Sequence, residues 1–139
     1  MEIEVVKNNL SGIRFSSQDG SVPCMGSFVD FHIHDDIEIL VCNRGTMKVS
    51  FLNDEVLLSV GDAIVINRRV PHSTLVVEEY TGTTLLQFRI EKLRNYEFEN
   101  INKYLASLIL GDDKEYTYLA ANELHTQKIV SVINAIRDE

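Results

Sequence analysis

Three histidines and one glutamate are the residues of this sequence whose types and spacing best suit chemistry. One residue separates His32 from His34, three separate His34 from Glu38, and His72 lies further along the chain. Alternate residues of a strand share a face, so His32 and His34 point the same way if their segment is extended. A turn at Asp35-Asp36 then folds the next strand back and places Glu38 beside them.

Two kinds of site fit these side chains. With His72 also facing inward, three imidazoles and one carboxylate form a ligand set for Mn, Fe, Ni, Cu or Zn that leaves open positions for a small molecule. The same groups also suit a metal-free pocket that hydrogen-bonds a small polar molecule. Arg68 precedes His72 and can reach over the site to hold an anionic ligand, although a solvated loop charge is the plainer interpretation.

The elements that must position these residues form an all-β pattern from residue 2 to about residue 90. Short β-branched and aromatic runs alternate with turn residues, as in a sandwich or barrel. Asn53-Asp54 is typical of a hairpin, and Gly45, Gly61 and Gly82 can adopt the positive φ of tight turns. We predict antiparallel strands at about 2–6, 11–16, 27–34, 37–43, 46–52, 55–60, 63–67, 73–79 and 83–90.

Further along the chain the apolar spacing becomes helical. One stripe comprises Ile101, Tyr104, Leu105, Leu108 and Ile109, and a second comprises Ile129, Val132, Ile133 and Ile136. We therefore predict a barrel over 1–92 and two helices within 93–139 of the same domain. A small barrel has limited outer surface to cover both helices, so we expect the second stripe to meet a second copy in a homodimer.

Composition limits the partners. The chain has 139 residues, 45% of them hydrophobic, and a net charge of −8, which suits one folded domain but opposes docking on DNA phosphates or anionic membranes. There is no apolar run long enough to span a bilayer, and the first residues lack the pattern of a signal peptide. We therefore expect a cytoplasmic protein with no direct contact to nucleic acid or membrane.

The spacing of the site residues resembles the first conserved motif of the cupin superfamily. That motif maps onto Gly26, His32, His34, Glu38 and Gly45. The resemblance implies an antiparallel double-stranded β-helix, or jelly-roll, barrel. It also implies that the histidines and the glutamate face a shared interior site.

The second cupin motif is only half kept. Gly61 and His72 match it, whereas Asn67 and Arg69 stand where the family often has Pro and Gly. From about residue 26 to 139 the sequence also resembles the N-terminal ligand-sensing domains of AraC-type transcription regulators. In that family the barrel binds a small effector, the helices dimerise, and a separate C-terminal helix-turn-helix domain, not found in this sequence, binds DNA.

Two functions follow as hypotheses. The favoured one is an effector-binding sensor domain of an AraC-type regulator, with His32, His34, Glu38, His72 and Arg68 as ligand-binding residues. The alternative is a stand-alone metal-dependent cupin enzyme of the dioxygenase or isomerase type, with the histidines and Glu38 as metal ligands. The sensor is favoured over the enzyme because no further residue supplies an obvious acid or base.

Overall fold

The computed structural model describes residues 4–5, 13–89 and 114–137, which form ten strands and one helix. One five-stranded sheet has the order β1-β3-β8-β5-β6 and contains Glu4–Val5, Phe28–Ile33, His72–Val76, Met47–Ser50 and Glu55–Leu58. The other has the order β10-β7-β4-β9-β2 and contains Tyr116–Leu119, Ala63–Ile66, Ile37–Arg44, Gly82–Phe88 and Ile13–Gln18. The helix α1 spans Leu124–Arg137. The predicted cupin barrel is thus confirmed, with its two sheets packed face to face.

All nine predicted strands are present, but three features differ from the expectation. The segment assigned to helices also contains β10, which pairs with β7 at the sheet edge. The link at Asp35-Asp36 does not close a hairpin, because β3 and β4 belong to different sheets. The short strand β1 pairs with β3 in parallel rather than antiparallel. The first predicted helix, at 101–109, lies outside the described residues.

The predicted turns are mostly confirmed. Asn53-Asp54 connects β5 and β6, with the amide of Phe51 donating to the carbonyl of Asp54 at 2.7 Å. Gly45 has a φ of 77°, and a Cβ there would lie 2.2 Å from the Thr81 hydroxyl, so this turn needs glycine on both counts. The expectation for Gly82 is wrong, because this glycine begins β9 and has no positive φ.

Strand β4 separates two hydrophobic layers. Its odd-numbered residues Ile37, Ile39 and Val41 belong to a cluster on the outer face of the sheet. Its even-numbered residues Leu40 and Cys42 belong to the cluster between the two sheets. This alternation follows from the two-residue period of a strand, and the near-complete burial of β4 shows that both faces are covered.

Helix α1 covers the outer face of this sheet. Ile129 and Ile133 are 2% and 1% exposed and pack in the same cluster as Ile39 and Leu86. The expectation that these two isoleucines meet a second copy is therefore wrong, because the chain's own sheet already covers them. Val132 packs partly on this cluster, and the side chain of Ile136 lies outside the described part. No described helix has the length and apolarity needed to cross a membrane.

We expect Ile133→Ala to lower the free energy of unfolding by about 2–5 kcal/mol, because it leaves a cavity between the helix and the sheet. Urea unfolding followed by circular dichroism measures this loss. Ser131→Ala, at an exposed position of the same helix, is the matched control and should change stability little. A stable Ile133→Ala domain would show that the helix does not pack on the barrel in solution.

Candidate functional site

The four predicted site residues come together from both sheets. His32 lies near the end of β3 and His72 begins β8, and these two residues are direct cross-strand partners. His34 follows the end of β3, in the link that crosses to the other sheet. Glu38 lies on the inner face of β4, and all four residues are buried. The link at Asp35-Asp36 thus brings Glu38 to the histidines by joining the sheets rather than by closing a hairpin.

The side chains converge on one point. One potential ligand atom from each residue lies within 4.8 Å of the others. The carboxylate oxygen Oε1 of Glu38 is 3.1 Å from Nε2 of His34 and 3.5 Å from Nε2 of His72. The ring centroids of His32 and His72 are 4.2 Å apart. The sequence prediction of a shared interior cluster therefore agrees with the structure.

Backbone carbonyls orient all three imidazoles in the same way. Nδ1 of His32 lies 2.9 Å from the Asp30 carbonyl, Nδ1 of His34 lies 3.0 Å from that of Asp36, and Nδ1 of His72 lies 2.8 Å from that of Val70. A carbonyl can only accept, so each ring carries a proton on Nδ1, and a neutral ring has its lone pair on Nε2. His34 also carries a proton on Nε2 whenever it donates to the Glu38 carboxylate, and it must lose that proton before it can bind a metal. Metal-binding histidines are commonly held in this way.

The Nε2 atom of His72 has no hydrogen-bond partner within the described residues, although it is fully buried. Its 3.5 Å approach to Glu38 is an electrostatic contact rather than a hydrogen bond. A buried nitrogen without a partner is costly in an apolar interior. A divalent metal ion held by the three Nε2 atoms and Glu38 would satisfy it, so this donor set fits such an ion.

The cluster shifts the pKa values of its members. Burial raises the pKa of Glu38, but the hydrogen bonds from His34 and Gln87 and the nearby His72 outweigh burial and hold the pKa well below its usual range. Burial lowers the pKa of His34, but its contact with Glu38 more than compensates, so that its pKa is raised. Burial lowers the pKa of His32. Glu38 is therefore ionised at neutral pH and attracts cations to the cluster.

A cavity of about 340 Å³ lies between the sheets and reaches the cluster through His32 and Glu38. Its apolar wall comprises Phe28, Val29, Leu40, Met47, Val76 and Leu85. Its other polar residues are Arg14, Ser16, Ser17, Gln18, Ser27, Thr74, Thr83 and Gln87. This volume is at the lower end of the range for small-molecule pockets, and an apolar wall with a few polar groups is typical of such pockets.

Arg68 is not among the residues that line this cavity. It is exposed on the link between β7 and β8, and it has other interactions in the structure. Its neighbour Arg69 forms an exposed ion pair with Asp35, at 2.8 Å. This placement gives no support to the expectation that Arg68 holds a ligand at the barrel mouth.

Two residues that the sequence analysis did not identify connect the cluster to the cavity. Gln87 donates a 2.8 Å hydrogen bond to Oε1 of Glu38. In the sheet, Gln87 pairs with Glu38 on one side and with Arg14 on the other, so that Arg14, Gln87 and Glu38 form one row across β2, β9 and β4. The even–odd pattern of these strands was visible in the sequence, but the register that aligns the three residues was not.

The comparisons with known proteins agree with this geometry. Residues 23–96, more than half of the chain, match the model of the AraC-like ligand binding domain. The chain belongs to this family. A comparison with curated proteins finds no match.

Solved structures with the same fold include ToxT from Vibrio cholerae. The structure of ToxT with a bound unsaturated fatty acid has a TM-score of 0.59 at 14% identity, covering 96% of this chain and 48% of that one. An apo ToxT variant has a TM-score of 0.58 at 14% identity, covering 96% of this chain and 50% of that one. A cupin-2 domain protein from Shewanella frigidimarina has a TM-score of 0.45 at 21% identity, covering 59% of this chain and 76% of that one. This chain spans about half the length of ToxT, and at these identities the similarity to ToxT concerns the fold.

We expect Glu38→Gln to destabilise the chelator-treated domain by about 1–3 kcal/mol, and more at about pH 6 than at about pH 9. Folding raises the pKa of His34, so its stabilising contribution is complete below the unfolded value of about 6.5 and is lost as pH rises through the folded value. The variant removes the partner that causes this shift.

Urea unfolding at the two pH values tests this prediction, and imidazole NMR titration should show a lower pKa for His34 in the variant. An equal loss of stability at both pH values would contradict the proposed coupling between His34 and Glu38.

Proposed function

We propose that this chain is the effector-sensing domain of an AraC-type transcription regulator and acts in the cytoplasm. The observation that carries the proposal is the cavity of about 340 Å³ between the two sheets, with an apolar wall and the histidine cluster at one end. A pocket of this kind binds a small molecule that has both apolar and polar parts. The membership of the AraC-like ligand binding domain family supports the same function.

The bound ToxT structure supports a small-molecule effector further. A protein of the same fold holds an unsaturated fatty acid. In this chain the inner wall residues Leu40 and Leu85 lie on β4 and β9, and the outer faces of the same strands pack on α1. A ligand that moves this wall therefore changes the surface on which the helix packs. Ligand binding can in this way be coupled to the position of the helix and of any domain attached to it.

Homodimerisation remains part of the proposal, although Ile129 and Ile133 do not provide its interface. DNA contact is assigned to a separate domain, because a net charge of −8 opposes binding to phosphates. Sedimentation at increasing concentration tests for the dimer. A protein that stays monomeric throughout would remove dimerisation from the proposal and leave ligand binding untouched.

We expect Leu85→Trp to abolish ligand binding, because the larger side chain fills the cavity from its wall. The measurement is the shift in melting temperature caused by a panel of sugars, short carboxylates and amides. Leu57→Trp is the matched control, since it introduces the same bulk at an exposed position of β6. If no compound stabilises the parent protein, or if Leu85→Trp responds as the parent does, the cavity is not an effector site.

A metal-dependent cupin is the second candidate function, favoured by one specific observation. Three imidazoles are anchored through Nδ1, and their Nε2 atoms converge with Glu38 on a point where Nε2 of His72 has no hydrogen-bond partner among the described residues. His32, His34, Glu38 and His72 would hold Mn, Fe, Ni, Cu or Zn. When bound, the ion would polarise oxygen atoms of a molecule in the adjoining cavity.

We expect His72→Ala to weaken metal binding more than about 100-fold, because it removes a direct ligand, whereas losing only a supporting residue costs about 10–100-fold. The measurement is calorimetric titration of the chelator-treated protein with Zn²⁺ and Mn²⁺, together with elemental analysis of protein purified without nickel resin. His125→Ala, on the exposed side of α1, is the matched control. If neither measurement finds stoichiometric metal in the parent protein, the metal-dependent function is rejected and the metal-free sensor is the remaining proposal.

A further inference from the structure

The charge distribution around the cavity restricts the class of its ligand. The row formed by Arg14, Gln87 and Glu38 runs from the edge strand β2 to the histidine cluster, and all three residues line the cavity. Neighbouring strands lie about 4.8 Å apart, so the backbones of Arg14 and Glu38 are separated by about 10 Å. The cavity therefore has Arg14 towards one end and Glu38, within the histidine cluster, towards the other.

Glu38 has its charge compensated within the chain. Its Oε1 atom accepts hydrogen bonds from Gln87 at 2.8 Å and faces His34 at 3.1 Å. Arg14 differs in this respect. Across the described ranges no carboxylate lies within ion-pair distance of it.

Among the described residues that line the cavity, Arg14 is also the only cationic side chain. Arg14 is exposed to solvent where it lines the cavity and has no described ion-pair partner, so in a chain with a net charge of −8 it is a local exception to the overall repulsion of anions. A planar guanidinium binds carboxylates with two parallel hydrogen bonds, so a ligand carboxylate is the partner that it suits best. At the opposite end Glu38 offers no hydrogen-bond donor and His34 and Gln87 already engage its Oε1 atom, so the carboxylate of such a ligand is placed at Arg14.

The surface beside this row is apolar. In the row next to that of Arg14 and Gln87, Leu85 pairs with Leu40, and both side chains face the cavity. Met47 and Val76 face them from the opposite sheet. One water occupies about 30 Å³ of liquid, so 340 Å³ corresponds to about eleven non-hydrogen atoms.

We propose that the ligand of this cavity is an amphiphilic monocarboxylate of about ten non-hydrogen atoms. Its carboxylate is held by Arg14, and its apolar body lies against Leu40 and Leu85. This inference rests on the proposed sensor function and names the ligand class for that site. It makes Arg14 a residue that distinguishes an acid from a neutral molecule of the same shape.

The test compares octanoate with octanamide, which has the same size and no charge. Isothermal titration calorimetry of the 139-residue chain should show that octanoate binds about tenfold more tightly than octanamide, and that added salt weakens only octanoate. Arg14→Gln should remove this preference and the salt dependence while octanamide binding stays the same. Lys128→Gln, an equal charge change on the exposed side of α1, should preserve both.

The outcomes separate this inference from the sensor function. Equal binding of octanoate and octanamide, or an unchanged preference in Arg14→Gln, overturns the carboxylate class. If the carboxylate class is overturned but neutral compounds bind and Leu85→Trp abolishes their binding, the proposed sensor function is retained without a carboxylate ligand. If neither octanoate nor any other compound binds, both proposals fail.

Discussion

The buried carboxylate of Glu38 is the group around which the interior of this barrel is organised. An ionised carboxylate removed from water costs several kcal/mol unless neighbouring groups compensate it. Here His34 and Gln87 contact one of its oxygens, and His72 approaches the same atom. Carbonyl groups in turn hold the imidazoles through Nδ1, so the orientation of each ring follows from the backbone that supports it. The imidazoles and the carboxylate are consequently held in a fixed arrangement by their hydrogen bonds.

Strand β4 connects this cluster to the rest of the molecule. Its inner face carries Glu38 and Leu40, which line the site, and its outer face carries Ile39, which packs with α1. The cavity and the helix are therefore separated by the thickness of one sheet. Because both faces are buried, a shift of the strand on one side must be accommodated on the other. This architecture suits a sensor in which ligand binding alters helix packing.

The link between β7 and β8, which delivers His72, departs from the usual cupin pattern, and the structure shows how it does so. Arg69 stands at the glycine position and adopts a φ of 60°, the left-handed conformation that glycine would take without strain. Asn67 stands at the proline position and uses the amide hydrogen that proline lacks, donating it to the Glu115 carbonyl at 2.9 Å. Asn67 thereby ties the start of this link to the segment that enters β10.

The nine barrel strands and the convergence of His32, His34 and Glu38 were predictable from the sequence, because strand periodicity and turn residues are local signals. The sequence did not indicate β10, which is short and is held by pairing with β7. Nor did it align Arg14 with Glu38, since cross-strand register depends on contacts between distant segments. The apolar stripe of the last helix was recognised, but its partner was not, because a stripe shows that a face is buried and not what buries it. Only the tertiary structure decided that Ile133 packs on its own barrel, since that depends on the outer face of β4 and β9 presenting an apolar surface to the helix.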